Sequence, residues 1–243
     1  FHQPVSFLVE RLCGRAVQDH ALASTSMLYG LERRHWDPEL LAAFAIGPEV
    51  LAPLAEAQEC AGRLDAAGAA LSGLRPGTPL AVGTGDDFAA ALGAGVVEPG
   101  VVLCCLGTAE IVGAVHGRPV IDQEGMVETH GFPGGRFYVE NPGWVSGGAV
   151  RWLRELLGLA DDTRLDALAA AVPAGADGVT APPTLAGAMV PVWRAQGRGA
   201  VYGLTPAQGP GHLARAVLEG TAFAMAEVVD RLAALGVATD RIR

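Results

Sequence analysis

Two aspartates stand side by side after a glycine turn, in Val82-Gly83-Thr84-Gly85-Asp86-Asp87-Phe88. Glycines permit a sharp turn and the close approach of a ligand. A carboxylate at the carboxyl end of a strand is where open α/β sheets place reactive groups. Adjacent acids can supply a general base and a hydroxyl binder; the other reading is that one of them caps the helix starting at Phe88. The stretch is also a near miss to the dinucleotide fingerprint. Phe88 stands where Gly or Ala is needed, and two carboxylates would repel a pyrophosphate, so NAD and FAD are disfavoured.

Three further stretches could serve an anionic ligand. Leu103-Cys104-Cys105-Leu106-Gly107-Thr108-Ala109-Glu110 reads as strand, tight turn, strand. The turn amides and the Thr108 hydroxyl can point at one phosphate, although many ordinary hairpins turn on glycine. Gly147-Gly148-Ala149-Val150-Arg151-Trp152 places a glycine pair at a helix start. That start offers free amides and the positive dipole end to an anion, with Arg151 one turn in and Trp152 in the core. Gly199 to Glu219 runs from a turn through a loop to a buried helix face, with His212 as a cap or surface residue.

These residues need elements to hold them. Pro4 to Leu12 reads as a helix with Leu8 and Leu12 on one face, and Asp37-Pro38-Glu39 is an N-cap, first-turn proline and first-turn acid. Strands are expected at 80–82, 101–106, 111–115 and 136–140, and helices at 88–92, 149–157, 161–171 and 213–235. The residues after Gly236 head toward another strand. Strands alternating with helices over short connections indicate an α/β fold, with a domain boundary at Glu98-Pro99-Gly100. Both ends read as cut, Phe1 being no initiator, so the sequence suggests a piece of a longer chain.

Composition narrows the chemistry. The 243 residues carry a net charge of −9 with no basic cluster, which argues against nucleic acid and anionic membranes as partners. All 17 basic residues are arginine. Without lysine the chain cannot be a P-loop NTPase, a protein kinase or a pyridoxal enzyme. Cys13, Cys60, Cys104 and Cys105 show no metal or redox spacing and read as buried reduced thiols of a cytoplasmic protein.

In this order the four stretches resemble the FGGY carbohydrate kinases, over nearly the whole chain. Gly199 to Glu219 is similar to the family's C-terminal signature at every constrained position, and Gly85-Asp86-Asp87 to its Gly-Asp motif. The resemblance implies an actin-like ATPase (ribonuclease-H-like) two-domain fold, incomplete at both ends. Residues 1–98 would be the latter part of the N-terminal sugar-binding domain and 99–243 the first part of the C-terminal nucleotide-binding domain. It implies ATP-dependent phosphorylation of a sugar or polyol, a ketose such as xylulose foremost, with Mg²⁺. Asp86 would be the general base, and Asp87 would bind substrate where relatives carry Asn or Gln. Gly107, Thr108, Gly147 and Arg151 would bind nucleotide and its phosphates.

Departures from the family pattern accompany it. Asp87 is an acceptor-only carboxylate and suits hydroxyl donors. Glu110 sets a negative charge near the phosphates unless it turns away. The family's first phosphate loop has no counterpart here, and its late adenosine loop would follow Arg243. The intact protein is therefore expected to be a cytoplasmic kinase, a homodimer being one assembly the family offers, and this piece alone nearly inactive. The competing expectation is a non-catalytic sugar- or nucleotide-binding relative.

Overall fold

Aspartate, proline and glycine set the element boundaries in the computed structural model, which describes residues 1–243. Four helices begin on an aspartate whose carboxylate accepts backbone N–H bonds: α2 (His20–Ser24) on Asp19, α3 (Pro38–Ala43) on Asp37, α4 (Ala66–Ser72) on Asp65 and α7 (Asp162–Ala170) on Asp161. Each such cap contributes about 1 kcal/mol. α1 (Pro4–Cys13) and α4 stop at Gly14 and Gly73, both in the left-handed region. No helix is long and apolar enough to cross a membrane.

The chain forms two compact units. The first comprises residues 1–99, 115–120 and 129–139. It holds α1 to α4 and short strands β1 (Gln18–Asp19), β2 (Tyr29–Gly30), β3 (His35–Trp36), β4 (Leu54–Ala55), β5 (Cys60–Arg63) and β6 (Pro79–Ala81), then α5 (Asp86–Gly93). β1 pairs with β4 in parallel, and β5 with β6 antiparallel. Val9, Val17, Ala61 and Val82 form a core with Val5, Cys13, Ala55 and Leu80 against it. The inward stripe of α1 is thus Val5, Val9 and Cys13, one turn apart each time, and Leu8 is exposed. Leu8 and Leu12 share the face next to that stripe, and β5 and α4 cover the valine side. A Cβ on Gly68 of α4 would stand 2.0 Å from the Leu12 carbonyl oxygen, so this helix pair needs glycine there.

The second unit comprises residues 100–114, 121–128 and 140–243. β7 (Val101–Leu106) pairs antiparallel with β8 (Glu110–His116), in the register Leu103 to Gly113, and in parallel with β11 (Arg241–Ile242). With β9 (Glu128–Phe132) and β10 (Arg136–Glu140) the strand order is β11-β7-β8-β10-β9. α6 (Gly147–Leu156), α7 and the 25-residue α8 (Pro210–Ala234) enclose a core that includes Leu153, Leu165, Ala169, Ala214 and Val217.

The compact units change over at residues 99 and 100, and the first also takes in two later segments. Residues 129–139 join the first unit because His130 and Tyr138 pack edge-on to Phe88 there, and Gly134 N–H donates to Glu56. The thiols are all free, but Cys60 and Cys105 are exposed and Cys13 and Cys104 half-buried. Burial fails at Cys104 and Cys105 because β7 emerges from the core at its Gly107 end, and at Cys60 because it opens β5 on an exposed position.

In the second unit Asp122 is an anchor whose side chain is shielded from solvent. Its carboxylate accepts from the N–H groups of Glu124, Met126 and Val127 and from the Arg231 guanidinium. Burial pushes the carboxyl up, but Arg231 and the three N–H donors outweigh it and bring it down to about 2. The stability it confers is complete above the ordinary carboxylate value and is lost as pH falls through about 2. Asp122→Asn is expected to cost about 2–3 kcal/mol at neutral pH, the worth of hydrogen bonds to a charged group. Thermal melting checks this: a midpoint equal to the wild type's would refute the anchor.

Candidate functional site

Asp86 and Asp87 occupy the first turn of α5, where the helix dipole favours negative charge. The N-cap is Gly85, and neither carboxylate caps the helix or makes a hydrogen bond within the protein. The capping alternative is thus excluded. Both side chains reach solvent. Burial and the neighbouring Asp86 raise the Asp87 carboxyl above its ordinary value, and His130 opposes them.

The loop that delivers these acids is fastened from behind. Thr84 Oγ1 donates to Asp19 Oδ2 at 2.7 Å, and Asp19 is itself buried at the head of α2. Burial raises the Asp19 carboxyl, opposed by Thr84 and the α2 amides. Gly83 takes φ +77°, a conformation that strains other residues. Phe88, the residue that spoils the dinucleotide fingerprint, is buried against His130 and Tyr138 and pins the start of α5.

His130 is a neighbour that no motif or spacing singles out. Ser24 Oγ donates its one hydrogen to Ala21 O at 2.6 Å and accepts from Gly131 N–H at 3.0 Å. Its contact with His130 Nδ1 at 3.3 Å therefore makes Nδ1 the donor.

In the second unit the Gly107–Ala109 turn is exposed, and its outward groups are free. The Thr108 amide and hydroxyl have no partner in the protein, while its carbonyl accepts from Ser146 N–H at 3.1 Å and Gly148 N–H at 3.0 Å. Gly147 N–H donates to Gly107 O at 3.1 Å. The expectation of free amides at the α6 start is corrected: these amides hold the turn, and the groups left for an anion are those of Thr108. Arg151 on α6 is exposed and makes no ion pair, whereas Arg154 is engaged with Asp162. Trp152, expected in the core, is 41% exposed and lines an apolar cavity of about 170 Å³ with Pro182, Pro183, Leu185 and Val217. Glu110 turns away from the turn and is fully buried. His212 caps α8, accepting from Gly209 N–H at 3.0 Å, with Asp177 3.2 Å from its other nitrogen.

Comparison with known proteins identifies what such a pair of features belongs to. Residues 1–93 match the N-terminal domain of the FGGY family of carbohydrate kinases, and residues 102–243 match its C-terminal domain. The chain belongs to the FGGY family. It is 35% identical to a glycerol kinase from Gloeobacter violaceus, covering 98% of this chain and 48% of the relative. A gluconokinase from Bacillus licheniformis is 27% identical over 89% of this chain and 44% of its own length. A xyloylose kinase from Brucella ovis superposes with a TM-score of 0.90 at 28% identity, covering 99% of this chain and 50% of that one. For a xylulose kinase from Rhodospirillum rubrum the values are 0.86, 31%, 97% and 48%. This FGGY chain has the actin-like ATPase fold and spans about half the length of the relatives it matches.

Proposed function

We propose that the intact protein transfers the γ-phosphate of ATP to a hydroxyl of a small sugar or polyol, with Asp86 as general base. The observation that carries this reading is an exposed, unbonded Asp86 on the first turn of α5, inside the segment that matches the FGGY N-terminal domain. Residues 1–98 supply the acceptor half of the reaction and residues 99–243 the nucleotide half. Asp86 takes the proton of the attacking hydroxyl, and Asp87, an acceptor-only group, receives a second substrate hydroxyl. Thr108 N–H and Oγ1 receive a phosphate of the nucleotide, Gly107 and Gly147 let turn and helix approach, and Arg151 adds positive charge. Phosphoryl transfer asks mainly for positioning and charge neutralisation, which these groups provide.

No group of three or more His, Cys, Asp or Glu side chains is placed to hold a metal by protein alone. Mg²⁺ takes one or two carboxylates and completes its shell with phosphates and water. Asp86 and Asp87, free of internal partners, are the carboxylates that would contribute, and the ion would neutralise phosphate charge.

The deciding experiment is a kinase assay of the intact protein with ATP·Mg²⁺ against glycerol, xylulose, gluconate and other polyols and ketoses. ADP formation dependent on one acceptor supports the reading, with a ketose such as xylulose expected first; none across the panel supports the non-catalytic alternative. Thr84→Val tests the fastening of the loop. Losing one hydrogen bond to a buried carboxylate is expected to lower kcat about tenfold, with acceptor KM changed less. An unchanged kcat would show that Asp19 does not position Asp86.

A further inference from the structure

Glu110 follows the Thr108 turn directly and opens β8 opposite Leu106. Its Oε1 accepts from Trp144 N–H at 3.1 Å, and its own N–H donates to Trp144 O at 3.0 Å. This double clasp fixes residues 144–146, whose continuation into α6 supplies all three N–H donors that hold the turn. Gly143, just before the clasp, is so close that a Cβ there would lie 2.3 Å from Glu110 O. Glu110 Oε2 is buried with no hydrogen-bond partner, and the buried Ser146 hydroxyl beside it makes no hydrogen bond of normal geometry either.

We infer that Glu110 is a positioning residue for the nucleotide: its buried carboxyl clasps Trp144 and thereby keeps the Thr108 amide and hydroxyl presented to phosphate. The inference rests on the phosphoryl-transfer reading above. Glu110 Oε1 accepts from Trp144 N–H in either protonation state, and it is burial that favours the neutral acid. Burial pushes the Glu110 carboxyl up to about 7, against weaker help from Trp144 N–H, its own N–H and the Ser146 hydroxyl. The elements packed on it, the 107–109 turn and residues 141–146, carry no titratable side chain, and the nearest acid along the neighbouring strand is Glu140, buried at the end of β10. A protonated Oε2 has a hydrogen to direct at the Ser146 oxygen, whereas an ionised one places a buried negative charge behind the phosphate turn that Trp144 N–H and the Ser146 hydroxyl only partly offset.

The test is calorimetric ADP binding by the intact protein at pH 6 and pH 8, for the wild type, Glu110→Gln and Glu110→Ala. The amide keeps an acceptor and a donor without a charge, so Glu110→Gln is expected to match the wild type at pH 6. Above neutrality the wild type is expected to weaken about tenfold relative to Glu110→Gln, as repulsion from the ionised group sets in. ADP's own titration is common to both proteins and cancels in that ratio. Glu110→Ala is expected to bind more weakly than either at pH 6; should it fail to fold, the ratio alone decides. Melting gives a second readout. A native acid that keeps its proton longer than the unfolded chain loses stability as pH rises from about 4.5 to about 7, a decline that Glu110→Gln lacks. ADP binding with a flat ratio overturns the inference alone, and a wild type that binds no ADP overturns it together with the phosphoryl-transfer reading.

Discussion

Asp86→Asn in the intact protein is expected to lower kcat by a factor on the order of 10²–10⁴, the usual contribution of a positioned general base. Acceptor KM and the melting midpoint should stay close to wild type. The stability half of the expectation follows from the structure: Asp86 is exposed, accepts no hydrogen bond and caps nothing, so asparagine removes only a charge from the first turn of α5. That charge is worth a few tenths of a kcal/mol to about 1 kcal/mol at a helix N-terminus. Asp87→Asn is the necessary companion. Burial and the charge of Asp86 already push the Asp87 carboxyl above its ordinary value. Its replacement is expected to raise acceptor KM with a smaller fall in kcat, since the amide retains an acceptor oxygen. A coupled assay of ADP formation separates the two parameters. If Asp87→Asn loses more kcat than Asp86→Asn, the roles are reversed; if neither falls, the base lies elsewhere.

What the sequence conveyed, and what it withheld, follows the range of the interactions concerned. Local signals carried through. Asp37 before Pro38 caps α3, and Val101 to Leu106 is a strand over the expected span. The seven residues after Gly236 do reach a strand, β11, in parallel with β7. The order of the four glycine-bearing stretches was enough for the family, because such patterns record local backbone needs. The misses are contacts between distant residues. Thr84 meets Asp19 across 65 positions, and Ser24 meets His130 across 106. Neither His130 nor Asp19 carries a spacing that would advertise it. Glu110 was visible as a misplaced charge beside a phosphate turn, but its burial depends on Trp144, 34 residues on. The α6 amides were misjudged for the same reason: a helix start looks free until one knows which carbonyls face it. Trp152 shows the converse error, in which size suggested core although the helix turns that face to a surface cavity.

The helix-start contacts lead to the second large effect. Gly147→Ala is expected to weaken ADP binding by about tenfold to a hundredfold, from a steric cost of about 1–3 kcal/mol. A Cβ at Gly147 would lie 2.3 Å from Gly107 O, far inside contact distance, and the atom it meets is backbone. The conflict cannot be relieved by turning a side chain. Either the α6 start retreats or the 107–109 turn does, and each movement breaks the Gly147 N–H to Gly107 O bond and displaces Thr108 from its two anchors, Ser146 and Gly148. Conformational freedom is not at issue, for φ at Gly147 lies outside the left-handed region. The loss would be of approach, a distinction that a control can draw. Gly209→Ala changes a glycine at the N-cap of α8, where a Cβ meets nothing within 4 Å, and is expected to leave ADP affinity unchanged. Gly143→Ala should be at least as damaging as Gly147→Ala, since it adds a positive φ of 85° to a Cβ 2.3 Å from Glu110 O. Equal ADP affinity for Gly147→Ala and Gly209→Ala would mean that the turn and α6 can part without cost, and the phosphate role assigned to Thr108 would fall with that result.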